Sequence, residues 1–307
     1  MQRNFIKLVL LFLSISGWQS SAQELTTGAV YSCAKVPAFI ETLGFEQPAI
    51  DTTITTRNGV VIRDMEGQQL MYQHNTWRQS GHVGITIRDA EGHMYLIPVP
   101  TIGLDTNPLE RRNTIYRIDS NTGLMSTFIE LPLSEEPSQA NPFGTLGLAY
   151  DCDTNSLYVN SVAGSTNSEI NGVIYQIDIA TGKVVDQLAD IDALGIGIFN
   201  TPNEKRLYYG DARSSNLMSV PLTEAGNFNR LVKPNYELSL LALKNGDSTQ
   251  VRKIVFNTTR DNQHFMALSD AEFSFRMTAE TARKYKIYNF QFSKEDNNWQ
   301  LLSVVPQ

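Results

Sequence analysis

In GLAYDCDTNSLYVNSV (147–162), three side chains stand at a spacing that could hold a metal. Asp151, Asp153 and Asn155 form D-x-D-x-N, the opening of a calcium loop, whose oxygens suit a hard cation. The helix–loop–helix form of that loop wants Gly at its sixth position and Glu at its twelfth, where this chain has Ser156 and Val162. The stretch therefore reads first as an Asx-rich hairpin turn, with bound calcium as the alternative and no other cofactor predicted. His74 and His82 flank TWRQSG, but no second His or Cys lies near enough in sequence to suggest zinc or an oriented general base. Trp77, Arg78 and Arg276 carry planar groups that could stack on a sugar or an aromatic ligand. Glu110-Arg111-Arg112 and Glu135-Glu136 read as solvated loop charge. Nucleophile signals are missing: there is no G-x-S-x-G, no Cys–His pairing at a recognisable spacing and no Gly-rich phosphate cradle.

What must position these groups is a repeat. IYRIDSNTG (115–123) returns as IYQIDIATG (174–182), and GITIRDAEGHMYLI (84–97) aligns without a gap on GLAYDCDTNSLYVN (147–160). GIGIFNTPNEKRLYYG (195–210) and KIVFNTTRDNQHFMAL (253–268) continue the series. Each copy is an apolar or alternating run, a turn of Asp, Asn, Gly or Pro, and a second run carrying Tyr, Met or Phe, which is a hairpin pattern. The IYxID–TG segment is a second hairpin, echoed by LMSVPLTEAGNF (217–228), KIYNFQFSKEDNNWQLL (286–302) and GVVIRDMEGQQLMY (59–72). Two hairpins per unit, with no helical periodicity between units, predict an all-β β-propeller of four-stranded blades, five or six in number, rather than a β-sandwich. Residues 23–307 form its single domain, with 24–82 an irregular first blade or closure segment and 83–307 the regular blades. The long connections then gather at one face around the channel, where binding is expected. Ser161, Asp211 and Ser269 occupy equivalent positions there, with Arg213 and Asp270 close by. They read equally as a polar annulus for a ligand and as hydrogen-bonding pins for strand ends. His82 faces the channel mouth in this reading.

Bulk properties narrow the partners. Arg3 and Lys7, LVLLFL (8–13) and Ser20-Ser21-Ala22 make a cleavable signal peptide, so a secreted or periplasmic chain is expected, cut near Ala22. Its removal leaves 23 basic and 32 acidic residues, a charge of −9. Such a surface repels nucleic acid and anionic membrane, and no later apolar run is long enough to insert in a bilayer. The expected partner is a small molecule, a glycan or a protein, and the expected state is a monomer. Cys33 and Cys152 are the only cysteines, and whether they pair is left open by the sequence.

NPFGTLGLAYDCDTNSLYVNSVAGS (141–165) and GIGIFNTPNEKRLYYGDARSSNLMSVPL (195–222) resemble the blades of exported NHL-type and gluconolactonase (senescence-marker-protein) propellers. They are more loosely similar to yellow/royal-jelly proteins. The gluconolactonase resemblance implies an axial divalent metal held by Asn and Asp just before the Gly that opens each inner strand. Val83, Leu146 and Leu194 stand there, and none can ligate a hard cation. A ligand- or protein-binding module is therefore the favoured expectation. The alternative is a metal-dependent lactonase or hydrolase with His82, Asp192 and Asp211 as a displaced site.

Overall fold

The computed structural model describes residues 25–52, 58–66, 70–99, 109–132, 140–276 and 285–306. The signal-peptide assignment and the Glu135-Glu136 pair lie outside them. A short strand β1 (Gly28–Ala29) precedes a one-turn helix α1 (Ala38–Glu41). The first blade follows as β2 (Pro48–Asp51), β3 (Val61–Asp64) and β4 (Met71–Tyr72). The second holds β5 (Val83–Arg88), β6 (Met94–Pro98), β7 (Thr114–Ile118) and β8 (Met125–Glu130). The third holds β9 (Thr145–Asp151), β10 (Ser156–Ser161), β11 (Val173–Asp178) and β12 (Lys183–Ala189). The fourth holds β13 (Ala193–Asn200), β14 (Lys205–Asp211), β15 (Asn216–Leu222) and β16 (Asn235–Ser239). The fifth holds β17 (Gln250–Thr258), β18 (His264–Ala271), β19 (Lys286–Ser293) and β20 (Asn298–Pro306).

The chain is thus a five-bladed β-propeller, each blade an antiparallel meander in chain order. The aligned copies are the first two strands of blades two to five, as the repeat requires. Burial follows position in the blade. Every residue of β9 is buried, whereas β12 alternates between exposed and half-buried. β9 is covered by blades on both sides and so reads as a continuous apolar run, while an outer strand such as β12 keeps one face in water. Apolar side chains from neighbouring blades merge into shared layers, such as Tyr95, Ile97 and Ile115 with Leu148, Leu157 and Ile177.

The T-G signature has a local cause. Asp178 Oδ1 accepts from Thr181 N at 2.7 Å and Thr181 Oγ1 at 2.9 Å, while Gly182, at φ 65°, donates its N–H to Asp178 O. Asp119, Thr122 and Gly123 (φ 69°) repeat the arrangement. The left-handed residue is glycine because a Cβ is costly there. The opening glycines answer a different need: a Cβ on Gly147 would stand 2.2 Å from Asn160 Oδ1 and 2.5 Å from Leu194 O, so two inner strands meet backbone to backbone.

The first blade is the irregular one, with three strands among the described residues. One expectation is amended. In blade four the fourth strand comes later than LMSVPLTEAGNF suggests, because residues 223–228 tuck against blade three. There Gly226 O accepts from Tyr158 Oη at 2.5 Å, and Phe228 packs edge-on to the same ring.

The N-terminal segment ties the blades together. β1 pairs with the end of β13, at Gly28↔Asn200 and Ala29↔Phe199. Cys33 is disulfide-bonded to Cys152, settling the question the sequence left open. Further on, Lys35 N donates to Asp89 O, Phe39 N donates to Ser120 O, and the Phe39 ring meets Trp77.

One buried base gives this fold a pH dependence. His264 is enclosed by Phe199 and Phe292, with Nδ1 3.1 Å from Thr258 Oγ1. Burial, and secondarily the Lys294 charge, hold its pKa below the ordinary histidine value. The unfolded chain then takes up a proton that the folded chain resists, so stability falls as pH drops through the ordinary histidine range and levels off below the folded pKa. In urea unfolding from pH 8 to 5, the stability advantage of the natural chain over His264→Gln is expected to shrink. A constant difference across that range would refute the assignment.

Candidate functional site

Each of the four regular inner strands carries a register slip near its start. It falls between Val83 and Ile85 in β5 and opposite Asn160/Ser161 in β9. In β13 it spans Ala193 to Ile196, and in β17 it lies between Val251 and Lys253. Bulges of this kind re-aim side chains at the rim of a sheet. Here they set Leu146 and Leu194 into an apolar cluster with Val162, Ala212 and Phe275, beside Phe143 and Phe273. In the fifth blade the corresponding residue is Arg252. Its Nη1 donates to the Leu146 carbonyl at 2.7 Å, and Nη2 lies 3.8 Å from where a Cβ on Gly84 would stand. Arg252 therefore reaches from the last blade toward the second and third. Burial pushes its pKa down to about 10. It is still charged at neutral pH, but it carries a desolvation cost.

Within the channel is a cavity of about 280 Å³ walled by β5, β9, β13 and β17. Ile85, Leu148, Ile196 and Ile254 supply apolar wall, and Tyr31 and Ala34 of the N-terminal segment border it. Burial raises the pKa of Tyr31. The charged residues on its lining are Arg88 and Lys253, and no carboxylate is among them.

The polar groups singled out in the sequence lie mostly elsewhere, and most are used up. Asp192 and Arg213 do meet: Asp192 Oδ2 accepts from Arg213 Nε at 2.6 Å, while Oδ1 accepts from Gly172 N and from Ser165 Oγ. The same guanidinium donates to the carbonyls of Thr166, Asn167 and Glu169 and lies over the Phe275 ring. Asp270 accepts from Lys286 N at 2.6 Å and Thr249 Oγ1 at 2.7 Å, and Ser161 Oγ donates to Asn113 Oδ1 at 2.7 Å. Asp211 accepts from Arg213 N and Ser214 Oγ within its own turn. Of the two readings of the annulus, the geometry is that of strand-end pins. Ser269 is half-buried on β18, Arg78 is exposed, and His82 is half-buried with its carbonyl accepting from Val99 N.

Trp77 is fully buried, because the 3-10 turn Asn75–Ser80 inserts it between blades one and two. Its indole N–H donates to Gly123 O at 2.8 Å. It is core, not a stacking platform. Among the described residues no three His, Cys, Asp or Glu side chains converge as a metal set.

The D-x-D turn does hold a cation, but one from the chain itself. Lys205 Nζ, on the next blade, lies 2.6 Å from Asp151 Oδ2 and 2.9 Å from Asp153 Oδ2. Asn200 Nδ2 also donates to Asp153. Burial raises the Asp153 pKa, but the hydrogen bonds from Asn200 and Lys205 and the Lys205 charge outweigh it and hold the carboxyl below its ordinary value.

Sequence reading missed Arg252 and Lys205. The first had a signal: it precedes Lys253 as Leu146 precedes Gly147, so extending the aligned copies by one residue at their start places it at the axis.

No family model matches this chain, and no curated protein matches it significantly. Solved structures do. An endo-1,4-beta-xylanase from Bacteroides thetaiotaomicron is 12% identical, with 91% of this chain and 98% of that one covered and a TM-score of 0.47. A GH43 beta-1,3-galactosidase is 13% identical, covering 84% and 50%, at 0.45. The PQQ-bound aldose sugar dehydrogenase from Streptomyces coelicolor is 13% identical, covering 79% and 74%, at 0.42. At these identities the likeness is one of fold alone.

Proposed function

We propose that this protein is an exported binding module that takes a small ligand into its central channel. The observation that supports this reading is the cavity of about 280 Å³ between the four inner strands, apolar-walled with a few polar groups. That is the usual form of a small-molecule site. The annulus that competed with it is occupied by internal hydrogen bonds, so its side chains have little left to offer a ligand. Export agrees with the Cys33–Cys152 bond, which persists in oxidising compartments. A lactonase or hydrolase built on His82, Asp192 and Asp211 has less support, since Asp192 is committed to Arg213.

The test is a small-molecule screen read as ligand-induced stabilisation, run in parallel on a channel variant. Val255 lines the cavity and is 41% exposed, so Val255→Trp fills the channel without entering a packed core. Compounds at a hundred times their Kd should raise stability by about 2.7 kcal/mol in the natural chain, and that gain should vanish in the variant. Hits that stabilise both proteins equally would place the ligand elsewhere and end the channel reading.

A further inference from the structure

Several cations of this protein hold a carboxylate. Lys205 has Asp151 and Asp153, Arg206 has Glu204 and Glu237, Arg213 has Asp192, and Arg230 has Asp186. The cations lining the channel do not. Arg88 closes β5, Lys253 opens the regular part of β17, and both line the cavity with no acidic partner among the described residues. Arg252 precedes Lys253 at the bulged end, just outside that lining, and its hydrogen bond is to a neutral carbonyl. A guanidinium has five N–H donors, so most of its capacity is unspent. This concentration of unpaired positive charge is not a consequence of composition, because acids outnumber bases by 32 to 25 in the whole chain.

We infer that the channel selects an anionic ligand, a carboxylate or phosphate head on an apolar body, with the head held by Arg252 and Lys253. This rests on the channel reading above and narrows it to a ligand class. Arg252 suits the task because its planar fork can engage two oxygens of such a head while one nitrogen stays on Leu146 O. The apolar body lies along Ile85, Ile196 and Ile254. Arg88 falls four residues beyond Gly84, the repeat equivalent of Lys253, which is about 13 Å along the strand. It therefore adds positive potential at the far end of the cavity and draws anions in without sharing the head group. A bound anion offsets, by its opposite charge, the desolvation that lowers the Arg252 pKa.

Matched pairs test this by titration calorimetry on the full chain: octanoate against octanamide, and 3-phenylpropionate against 3-phenylpropionamide, with phenyl phosphate as the phosphate arm. The acid should bind about tenfold or more tightly than its amide, and added salt should weaken the acid alone. Arg252→Gln and Lys253→Gln should each remove most of that preference and leave amide binding unchanged. Because Lys253 is exposed, its variant keeps the test decisive if the Arg252 variant folds poorly. Phenyl phosphate binding with no carboxylate binding would support the inference and assign the phosphate head. Equal binding of acid and amide would overturn the anion inference and leave the channel reading standing. Anion binding that survives both substitutions would also overturn it, by placing the anion elsewhere. If no probe binds, the inference fails, and the channel reading stands or falls by its own screen.

Discussion

Replacing Lys205 with Met is expected to destabilise the protein by about 3–5 kcal/mol, the range for removing one partner of a buried ion pair. The ammonium is nearly inaccessible, at 2% exposure, and it faces Asp151 at 0%. Without it Asp151 keeps the Asp153 N–H at 3.0 Å and the Thr154 hydroxyl at 2.8 Å, which are too little to compensate a carboxylate shut away from water. Blades three and four would also lose a polar tie between them. Urea unfolding followed by tryptophan fluorescence measures the effect, and a loss under about 1 kcal/mol would show that the pair is better solvated than its geometry implies. The double variant with Asp151→Asn gives a second reading. It should cost clearly less than the sum of the single changes, with a coupling of about 0.5–3 kcal/mol, because the only carboxylate left without Lys205 is Asp153, which is half exposed to water.

Removing the disulfide is the other large perturbation. Cys33 and Cys152 are 119 residues apart, so the bond forbids the unfolded chain a very wide range of conformations. The chain-entropy relation puts the loss on opening it at about 4–5 kcal/mol. Cys33→Ala with Cys152→Ala should shift the urea midpoint accordingly, and reductant should do the same to the natural chain. The cost is also local. The N-terminal segment runs from β1 on blade four to Phe39 beside Trp77, and the disulfide lies midway along this path. Tyr31 and Ala34, which border the cavity, flank Cys33. The double variant should therefore lose channel ligands more steeply than its stability loss alone predicts, a difference that calorimetry at low temperature resolves. Unchanged affinity in a folded double variant would mean that Tyr31 and Ala34 do not shape the site.

The asymmetry between what was legible and what was not follows from range. Turn chemistry is local. Asp178, Thr181 and Gly182 are contiguous and make their own hairpin, so the hairpin can be read from a nonapeptide. Strand order inside a blade is nearly as local, because each strand pairs with its sequence neighbour. Trp77 was misjudged for the opposite reason. Its setting between two histidines in a polar stretch suggests a surface group, but Phe39, Tyr72 and Gly123 enclose it from three separate parts of the chain. Between the two readings of the annulus the sequence had no means to choose, for the same reason. Asp192 and Arg213 are 21 residues apart, and only the assembled face brings them to 2.6 Å and spends both on loop carbonyls and strand ends.

By itself, then, the sequence determined the repeat, the all-β blades and the turn chemistry, since these depend on period-two patterning and on glycine and Asx positions that are written contiguously. Tertiary structure alone decided where charge is compensated. Asp151 and Asp153 look like a metal site until the fold places Lys205, 54 positions beyond Asp151, against them. Arg252 looks like one surface cation among many until closure sets it beside the Leu146 carbonyl, 106 positions away, at a channel that supplies no acid. Whether a charge is answered depends on distances of a few ångströms between distant segments. Those distances exist only once the blades have packed.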